Sequence, residues 1–230
     1  QLVATEVLAL VPADAERIFV GKEAGHHSLA QDAIIELMLR LAQSGRALVR
    51  LKGGDPYIFG RGGEEAQALA AAGVPFEGIP GISAAQGAAA MAGMPLTHRD
   101  HACSLVLTTG HLRQDVLGDA GERSVDLDWA LLARPRQTVV VYMGVGALPI
   151  ICQKLIEHGL PPDTPAATIE RATRADQRTV VGTVATLPSL ALLHRVKPPA
   201  LIMIGGVVSL HAQLAPACSV PELVGRLAFL

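Results

Sequence analysis

Short apolar runs alternate with helix-length segments in the first part of the chain, and this alternation constrains the fold more than any other feature. Each run ends near a glycine, and a segment with apolar residues at helical spacing, such as 34–41, follows it. Strand–helix alternation predicts βαβ units and a parallel sheet in an N-terminal α/β domain. Glycines at the strand–helix junctions predict a ligand site at that edge of the sheet. The predicted strands are 17–20, 47–51 and 74–79, and the predicted helices are 31–44, 62–72 and 82–92.

The second part of the chain has a different order of elements. Two predicted strands, 166–170 and 177–183, follow one another with no helix between them, which predicts a mixed sheet in a C-terminal α/β domain. The polar stretch 114–125 contains glycine and is predicted to be an exposed loop. The remaining predicted elements are strands over 104–108, 138–142 and 199–204 and a helix over 147–158.

A domain boundary is predicted near Leu96. Residues 93–100 have no clear periodicity and include Pro95, as expected for a connection between domains. The sequence therefore predicts two α/β domains and a short extension, over 1–96, 97–215 and 216–230.

The composition excludes several classes of protein. Half of the residues are hydrophobic and 17% are charged, which excludes a disordered chain or a coiled coil. The net charge is −2 and aromatic residues make up 3%, which argues against nucleic-acid binding. Three widely spaced cysteines predict neither a disulfide framework nor a zinc site, and they fit a cytoplasmic location. Two charge-free runs, 78–98 and 198–221, are broken by glycine and proline, so we predict no membrane span.

Several common site motifs are absent from the sequence. Residues 21–23 read Gly-Lys-Glu, which does not complete a Walker A loop. Residues 81–85 end in alanine where a nucleophile elbow needs glycine. His98 and His101 have no acidic cluster beside them, so we predict no metal site.

Longer motifs carry the functional interpretation, and together they are more selective than any single glycine motif. On these residues the chain resembles the tetrapyrrole methylase family, from Leu2 to about Leu214. The segments are VGKEAGHH at 20–27, VRLKGGDPYIFGRGGEE at 49–65, IPGISA at 79–84, MPLTHRD at 94–100, TGH at 109–111, VYMG at 141–144 and PPALI at 198–202.

The resemblance implies a two-domain tetrapyrrole methylase fold that binds S-adenosylmethionine and assembles as a homodimer. The implied reaction is the transfer of two methyl groups to ring carbons of uroporphyrinogen III, which gives precorrin-2 for sirohaem and cobalamin biosynthesis. Two alternatives stay open. One is a tetrapyrrole methylase with a different substrate, and the other is a truncated, non-catalytic homologue that binds a tetrapyrrole.

The family pattern also implies a set of cofactor-binding residues on four turns. Each has a plainer alternative: a simple left-handed turn at 53–56, a helix N-cap at Ser83 and a core side chain at Met143. The family usually has glycine where this chain has Ala172. The implied residues are Gly53, Gly54, Asp55, Ile58, Ser83, Ala84, Met143 and Ala172.

Proton transfer and substrate binding are implied to involve other residues. Lys22 matches the family's proton donor, and its alternative is a solvated lysine at a strand end. The family's proton acceptor is an Asp that would precede Gln1, so we expect the sequence to be a truncated form. The substrate is rich in carboxylates, which basic side chains bind well. The implied substrate-binding residues are Arg61, His98, Arg99 and His111.

Overall fold

The computed structural model describes residues 3–21, 30–111, 113–117 and 123–218. The chain divides into two compact units, Gln1–Ser83 and Ala84–Leu230. The division lies before the fourth helix, whereas the predicted boundary near Leu96 lies after it. No helix in the described ranges is long and apolar enough to cross a membrane.

The first unit contains helices α1 (Thr5–Leu8), α2 (Gln31–Gln43) and α3 (Gly62–Ala71). Helix α2 forms where apolar residues recur at helical spacing, and it buries Ile34 and Met38, which lie one turn apart. Gly45 follows the helix with a φ of 79°, the left-handed conformation that commonly ends helices. The predictions of α2 and α3 are thus confirmed within one residue at each end.

The parallel sheet predicted for the N-terminal domain is not found in residues 3–21 and 30–83. The segments 17–20, 47–51 and 74–79 have no assigned strand pairing, and many of their apolar side chains are exposed. An apolar run shows a preference for extended backbone, but a strand also needs a neighbour with which to share hydrogen bonds. The sequence pattern shows the preference for extended backbone, but it does not show whether a neighbouring strand is present.

The second unit is built on a five-stranded mixed sheet, as the sequence predicts for this half. The order is β1-β4-β7-β5-β6, with β1 parallel to β4 and every other neighbouring pair antiparallel. The strands are β1 (Ser104–Thr109), β4 (Gln137–Tyr142), β5 (Pro165–Glu170), β6 (Arg178–Thr183) and β7 (Ala200–Ile204). A separate antiparallel pair, β2 (Arg113–Leu117) and β3 (Arg123–Ser124), lies in the stretch predicted to be a loop. That prediction was wrong, because polar residues also form strands when a short hairpin lets them pair.

Helices cover both faces of this sheet. One face packs against α4 (Ala84–Ala92) and the 3₁₀ segment 206–210, while the other packs against α5 (Trp129–Leu132), α6 (Leu148–Glu157) and α7 (Leu187–Leu193). All six residues of β4 are buried, as expected for a strand covered on both sides. Helix α8 (His211–Cys218) packs beside α4. The sequence analysis did not predict α5, α7 or α8.

Candidate functional site at one edge of the sheet

Three strands of the second unit end at the same edge of the sheet. Strand β4 is parallel to β1 and antiparallel to β7, and β7 is antiparallel to β5, so β1, β4 and β5 all run in one direction. Thr109 pairs with Tyr142 at the ends of β1 and β4, and Ile169, near the end of β5, pairs with Leu201 of β7. The segments that follow β1, β4 and β5 therefore leave the sheet at the same edge. They contain His111, Met143 and Ala172, three of the residues predicted from the family pattern.

The turns at this edge have left-handed backbone at residues other than glycine. Met143 has a φ of 55°, Arg171 of 47° and Thr173 of 69°. Such values are uncommon for residues other than glycine, and for a β-branched residue such as Thr173 they are outliers that concentrate at functional sites. The Met143 side chain is 55% exposed, so the alternative that it belongs to the core is wrong.

Two glycines allow the chain to turn tightly beside Met143. A Cβ on Gly110 would lie 2.7 Å from the Cα of Gly144, and a Cβ on Gly144 would lie 2.8 Å from a methyl group of Val141. Neither position has room for a side chain. The Gly110 N–H donates to the Tyr142 carbonyl at 2.7 Å, which fixes the end of β1 to the end of β4.

Ala172 lies between two left-handed residues but does not itself have a positive φ. It packs against the hydrophobic cluster formed by α4 and the adjacent face of the sheet. Alanine is therefore compatible with a position at which the family usually has glycine. The buried carboxylate of Glu170 precedes this turn and pairs with Arg171 at 2.8 Å and with Arg178.

The start of α4 is held at the same edge. The Ala85 N–H donates to the hydroxyl oxygen of Tyr142 at 2.9 Å, in a fully buried hydrogen bond. Ala84, which is predicted to contact the cofactor, is the first residue of this helix and is thereby placed beside the end of β4. Ser83 precedes it and is buried. The helix N-cap alternative for Ser83 stays a prediction.

In the first unit, the Asp55 carboxylate links two of the predicted cofactor-binding turns. Its Oδ1 accepts the Tyr57 N–H at 2.8 Å, and its Oδ2 accepts the Gly81 N–H at 3.1 Å. Gly54 has a φ of 155°, far from the value near +57° of a left-handed turn, so that alternative does not describe this loop. Ile58 is exposed close behind the loop. The structure thus joins the 53–55 loop to the 79–82 turn within this unit.

A buried carboxylate supports the strand-like segment that enters this loop. Glu65 accepts hydrogen bonds from Lys52 at 2.8 Å, Gln31 at 3.1 Å and Arg50 at 3.2 Å. Burial alone would raise the pKa of Glu65, but the hydrogen bonds from Lys52 and Gln31 and the charge of Arg50 hold it below its ordinary value. The carboxylate is therefore ionised at neutral pH, and it pairs with both cations that precede Gly53, Arg50 and Lys52.

Arg61 is already paired within its own helix turn. Its Nη2 lies 2.6 Å from Glu64 Oε2, and its Nε donates to the same carboxylate at 3.0 Å. The hydrogen bond with Glu64 raises the pKa of Arg61 and lowers the pKa of Glu64. Both side chains are exposed, so this pair is weak and can exchange for another carboxylate.

The other predicted substrate residues are divided between the two edges of the sheet. His111 is exposed at the edge that carries Met143 and Ala172. His98 and Arg99 lie near the start of β1, where the His98 N–H donates to the Ala102 carbonyl at 2.9 Å. A six-residue strand is about 20 Å long, which separates them from His111. Lys22 lies outside the described residues.

Comparison with known proteins identifies the family. A family model for tetrapyrrole (corrin/porphyrin) methylases matches residues 1–188. The chain belongs to the tetrapyrrole methylase family. Curated relatives of this chain include the siroheme synthases of Nitrosospira multiformis, 50% identical over 94% of this chain, and of Gluconacetobacter diazotrophicus, 52% identical over 94%. This chain covers 44% of each of them, so it spans less than half of their length.

Solved structures agree with the family assignment. The uroporphyrin-III C-methyltransferase from Thermus thermophilus, complexed with S-adenosylhomocysteine, is 37% identical to this chain with a TM-score of 0.68. The match covers 89% of this chain and 82% of that one. A cobalt precorrin-4 methyltransferase is 25% identical with a TM-score of 0.73, over 90% and 81% of the two chains. The α/β fold predicted for this chain is confirmed by these structures.

Three residues that the sequence analysis did not single out support the predicted turns. Tyr142 fixes the start of α4, Glu65 pairs with the cations before Gly53, and Gln177 bonds to the Ala172 turn. The only sequence signal for Tyr142 was its place in the VYMG segment, and Glu65 ends the long second motif. No group of three or more potential metal ligands occurs in the part of the chain that the structure describes.

Proposed function

We propose that this chain is an S-adenosylmethionine-dependent C-methyltransferase that converts uroporphyrinogen III to precorrin-2 by two methylations, as sirohaem and cobalamin biosynthesis require. The observation that carries the proposal is the convergence of Ala84, Met143 and Ala172 at one edge of the sheet, where the turns of Met143 and Ala172 have left-handed backbone. Its support from known proteins is the uroporphyrin-III C-methyltransferase complexed with S-adenosylhomocysteine.

The residues at this edge suit S-adenosylmethionine. Met143 offers an exposed apolar side chain, and close packing at Gly110 and Gly144 fixes the ends of β1 and β4 beside it. Apolar surface with a few fixed polar groups is typical of sites that bind cofactors. Ala84 and Ala172 would add contacts at this edge. We also propose Gly53, Gly54, Asp55, Ile58 and Ser83 as cofactor-binding residues, on the family pattern. When bound, the cofactor supplies a sulfonium methyl group for in-line displacement.

The chain's own residues would mainly position the reactants and move a proton. Positioning supplies much of the rate in such a displacement, and fixed turns provide it. The reaction needs an acid–base pair: an acceptor takes the proton released from the attacked ring carbon, and we assign Lys22 as the proton donor of the pair. His111 and Arg61 would bind substrate carboxylates, as would His98 and Arg99 if a carboxylate reaches the opposite edge of the sheet. We further propose a cytoplasmic homodimer.

A second candidate function is methylation of a different tetrapyrrole. The cobalt precorrin-4 methyltransferase has a TM-score of 0.73, slightly above that of the uroporphyrin-III enzyme, although its identity of 25% is lower. Fold similarity cannot separate these substrates, because the same scaffold can serve several of them. The sequence identity is higher to the uroporphyrin-III C-methyltransferase, 37% against 25%, which favours uroporphyrinogen III as the substrate.

Transfer of labelled methyl groups tests the proposal and separates the two candidates. The chain is incubated with methyl-labelled S-adenosylmethionine and either uroporphyrinogen III or a cobalt-containing corrin precursor, and label in the tetrapyrrole is counted. We expect label only with uroporphyrinogen III. Label only in the corrin precursor would support the second candidate, and no label in either would refute both.

Two exposed methionines provide a matched pair of variants. Met143 is 55% exposed at the candidate site, and Met91 is 48% exposed at the end of α4. M143Q replaces an apolar contact by a polar side chain of similar shape, so we expect the KM for S-adenosylmethionine to rise about three- to tenfold. M91Q should leave it unchanged. Equal effects of the two variants would remove Met143 from the proposed site.

A further inference from the structure

The turn that carries Ala172 has an unfavourable backbone on both sides. Arg171 has a φ of 47° and Thr173 a φ of 69°, although neither is glycine. A β-branched residue rarely adopts this conformation, because its Cβ substituents crowd the backbone. Such a turn persists only where surrounding groups hold it in place.

Gln177 provides one of these restraints through both ends of its side-chain amide. Its Oε1 accepts the Thr173 N–H at 2.8 Å, and its Nε2 donates to the Met91 carbonyl at 3.3 Å. The amide orientation is determined, because Thr173 presents a donor and Met91 presents an acceptor. Gln177 therefore connects the strained turn to the end of α4, the helix whose first turn is fixed to Tyr142.

Other bonds hold Arg171 but leave Thr173 to Gln177. The Arg171 N–H donates to the Pro199 carbonyl at 2.9 Å, and its side chain pairs with Glu170 at 2.8 Å and with Asp176 at 2.9 Å. The bond from the Thr173 N–H goes to Gln177. Losing that acceptor would let Thr173 relax toward an ordinary φ, and Ala172 would move with it.

We propose that Gln177 is a positioning residue for cofactor binding, which acts by holding the 171–173 turn in its left-handed conformation. The inference rests on the proposed function, since it takes Ala172 as a contact for S-adenosylmethionine. Gln177 itself need not touch the cofactor. The ligands concerned are S-adenosylmethionine, which the proposed reaction uses, and S-adenosylhomocysteine, which it releases.

The test is the affinity of the 230-residue chain for S-adenosylhomocysteine, measured by titration calorimetry together with thermal unfolding. Q177M keeps the shape of the side chain but removes both hydrogen bonds. Because the bond to Thr173 is the one that holds the turn, we expect the Kd to rise about fivefold, the effect of losing one typical hydrogen bond. Q177E keeps the acceptor for Thr173, so its Kd should stay within about twofold of the unsubstituted chain, well short of that loss.

A second substitution separates positioning from general stability. Glycine adopts φ values near 69° without strain, so T173G in the Q177M background should restore most of the lost affinity. A variant that is only less stable would not regain affinity in this way, because glycine adds flexibility and no new contact. The thermal unfolding curves show whether each variant is folded at the titration temperature.

Each outcome bears on a different statement. An unchanged Kd for Q177M, or a loss that T173G does not restore, would overturn the positioning role while leaving the proposed function intact. If Q177M does not fold, the test rests on Q177E and T173G. Both variants binding S-adenosylhomocysteine as tightly as the unsubstituted chain would support the positioning role, and a fivefold loss of affinity in Q177E would overturn it. No binding to the unsubstituted chain would refute the proposed function and this inference with it.

Discussion

Replacing Tyr142 with phenylalanine removes one oxygen atom from the junction between β4 and α4. That oxygen accepts the Ala85 N–H at 2.9 Å, Ala85 is fully buried and Tyr142 is 9% exposed. An N–H left unpaired in the interior costs about 1–3 kcal/mol, so Y142F should lower the free energy of unfolding by that amount. For a chain of this size about 1 kcal/mol shifts the Tm by ~2–4 °C, so we expect a decrease of about 2–12 °C.

Tyr57 supplies the control for this experiment. The chain has two tyrosines, and Tyr57 is 56% exposed, so Y57F removes a hydroxyl that water can reach. Urea unfolding of both variants gives the two free energies, and Y57F should lie within about 0.5 kcal/mol of the unsubstituted chain. Y142F should also weaken binding of S-adenosylhomocysteine, because the start of α4 carries Ala84. Equal stability of the two variants would refute the assigned role of Tyr142.

Further predictions concern the first unit. R61A should raise the KM for the tetrapyrrole while leaving the Kd for S-adenosylhomocysteine unchanged, whereas E64A frees the same guanidinium and should lower that KM about two- to fivefold; equal effects of R61A on both ligands would exclude a substrate role. G62A places a Cβ 2.5 Å from a backbone carbonyl oxygen and should lower the free energy of unfolding by about 1–3 kcal/mol. In G63A the new Cβ meets no atom within 4 Å, so the free energy of unfolding should rise by up to about 1 kcal/mol. Urea unfolding measures both values, and equal values would contradict the packing around Gly62. Because folding lowers the pKa of Glu65, its contribution is complete above the ordinary value of 4.5 and is lost as the pH falls through the folded value, so E65Q should flatten the decline of the urea midpoint in acid; parallel curves would contradict this.

Helices α2 and α3 of the first unit could be predicted from the sequence, whereas α1 was not predicted and the predicted strands are not found among the unit's described residues. Helix α2 is determined by its own residues, since the spacing that buries Ile34 and Met38 is visible in the sequence and Gly45 ends it. Segments such as 47–51 are as apolar as a buried strand, yet they pair with no neighbouring strand among the described residues. Strand formation depends on residues distant in sequence, which a local pattern does not identify.

The candidate site shows the same division. Glycine-rich motifs indicated the turns, and the family resemblance indicated which residues on them are candidates for cofactor binding. The bonds that hold the turns were not visible, because Tyr142 and Ala85 are distant in sequence and no periodicity connects them. The left-handed backbone at Met143 and Thr173 was also unpredictable, because neither residue type favours that conformation.

The mass of the tetrapyrrole product tests the central claim most directly. The chain is incubated with uroporphyrinogen III and excess S-adenosylmethionine without oxygen, and the product is examined by mass spectrometry. We predict a product that carries two added methyl groups, formed through a singly methylated intermediate. Recovery of unmethylated uroporphyrinogen III by a chain that binds S-adenosylhomocysteine would contradict the proposed reaction.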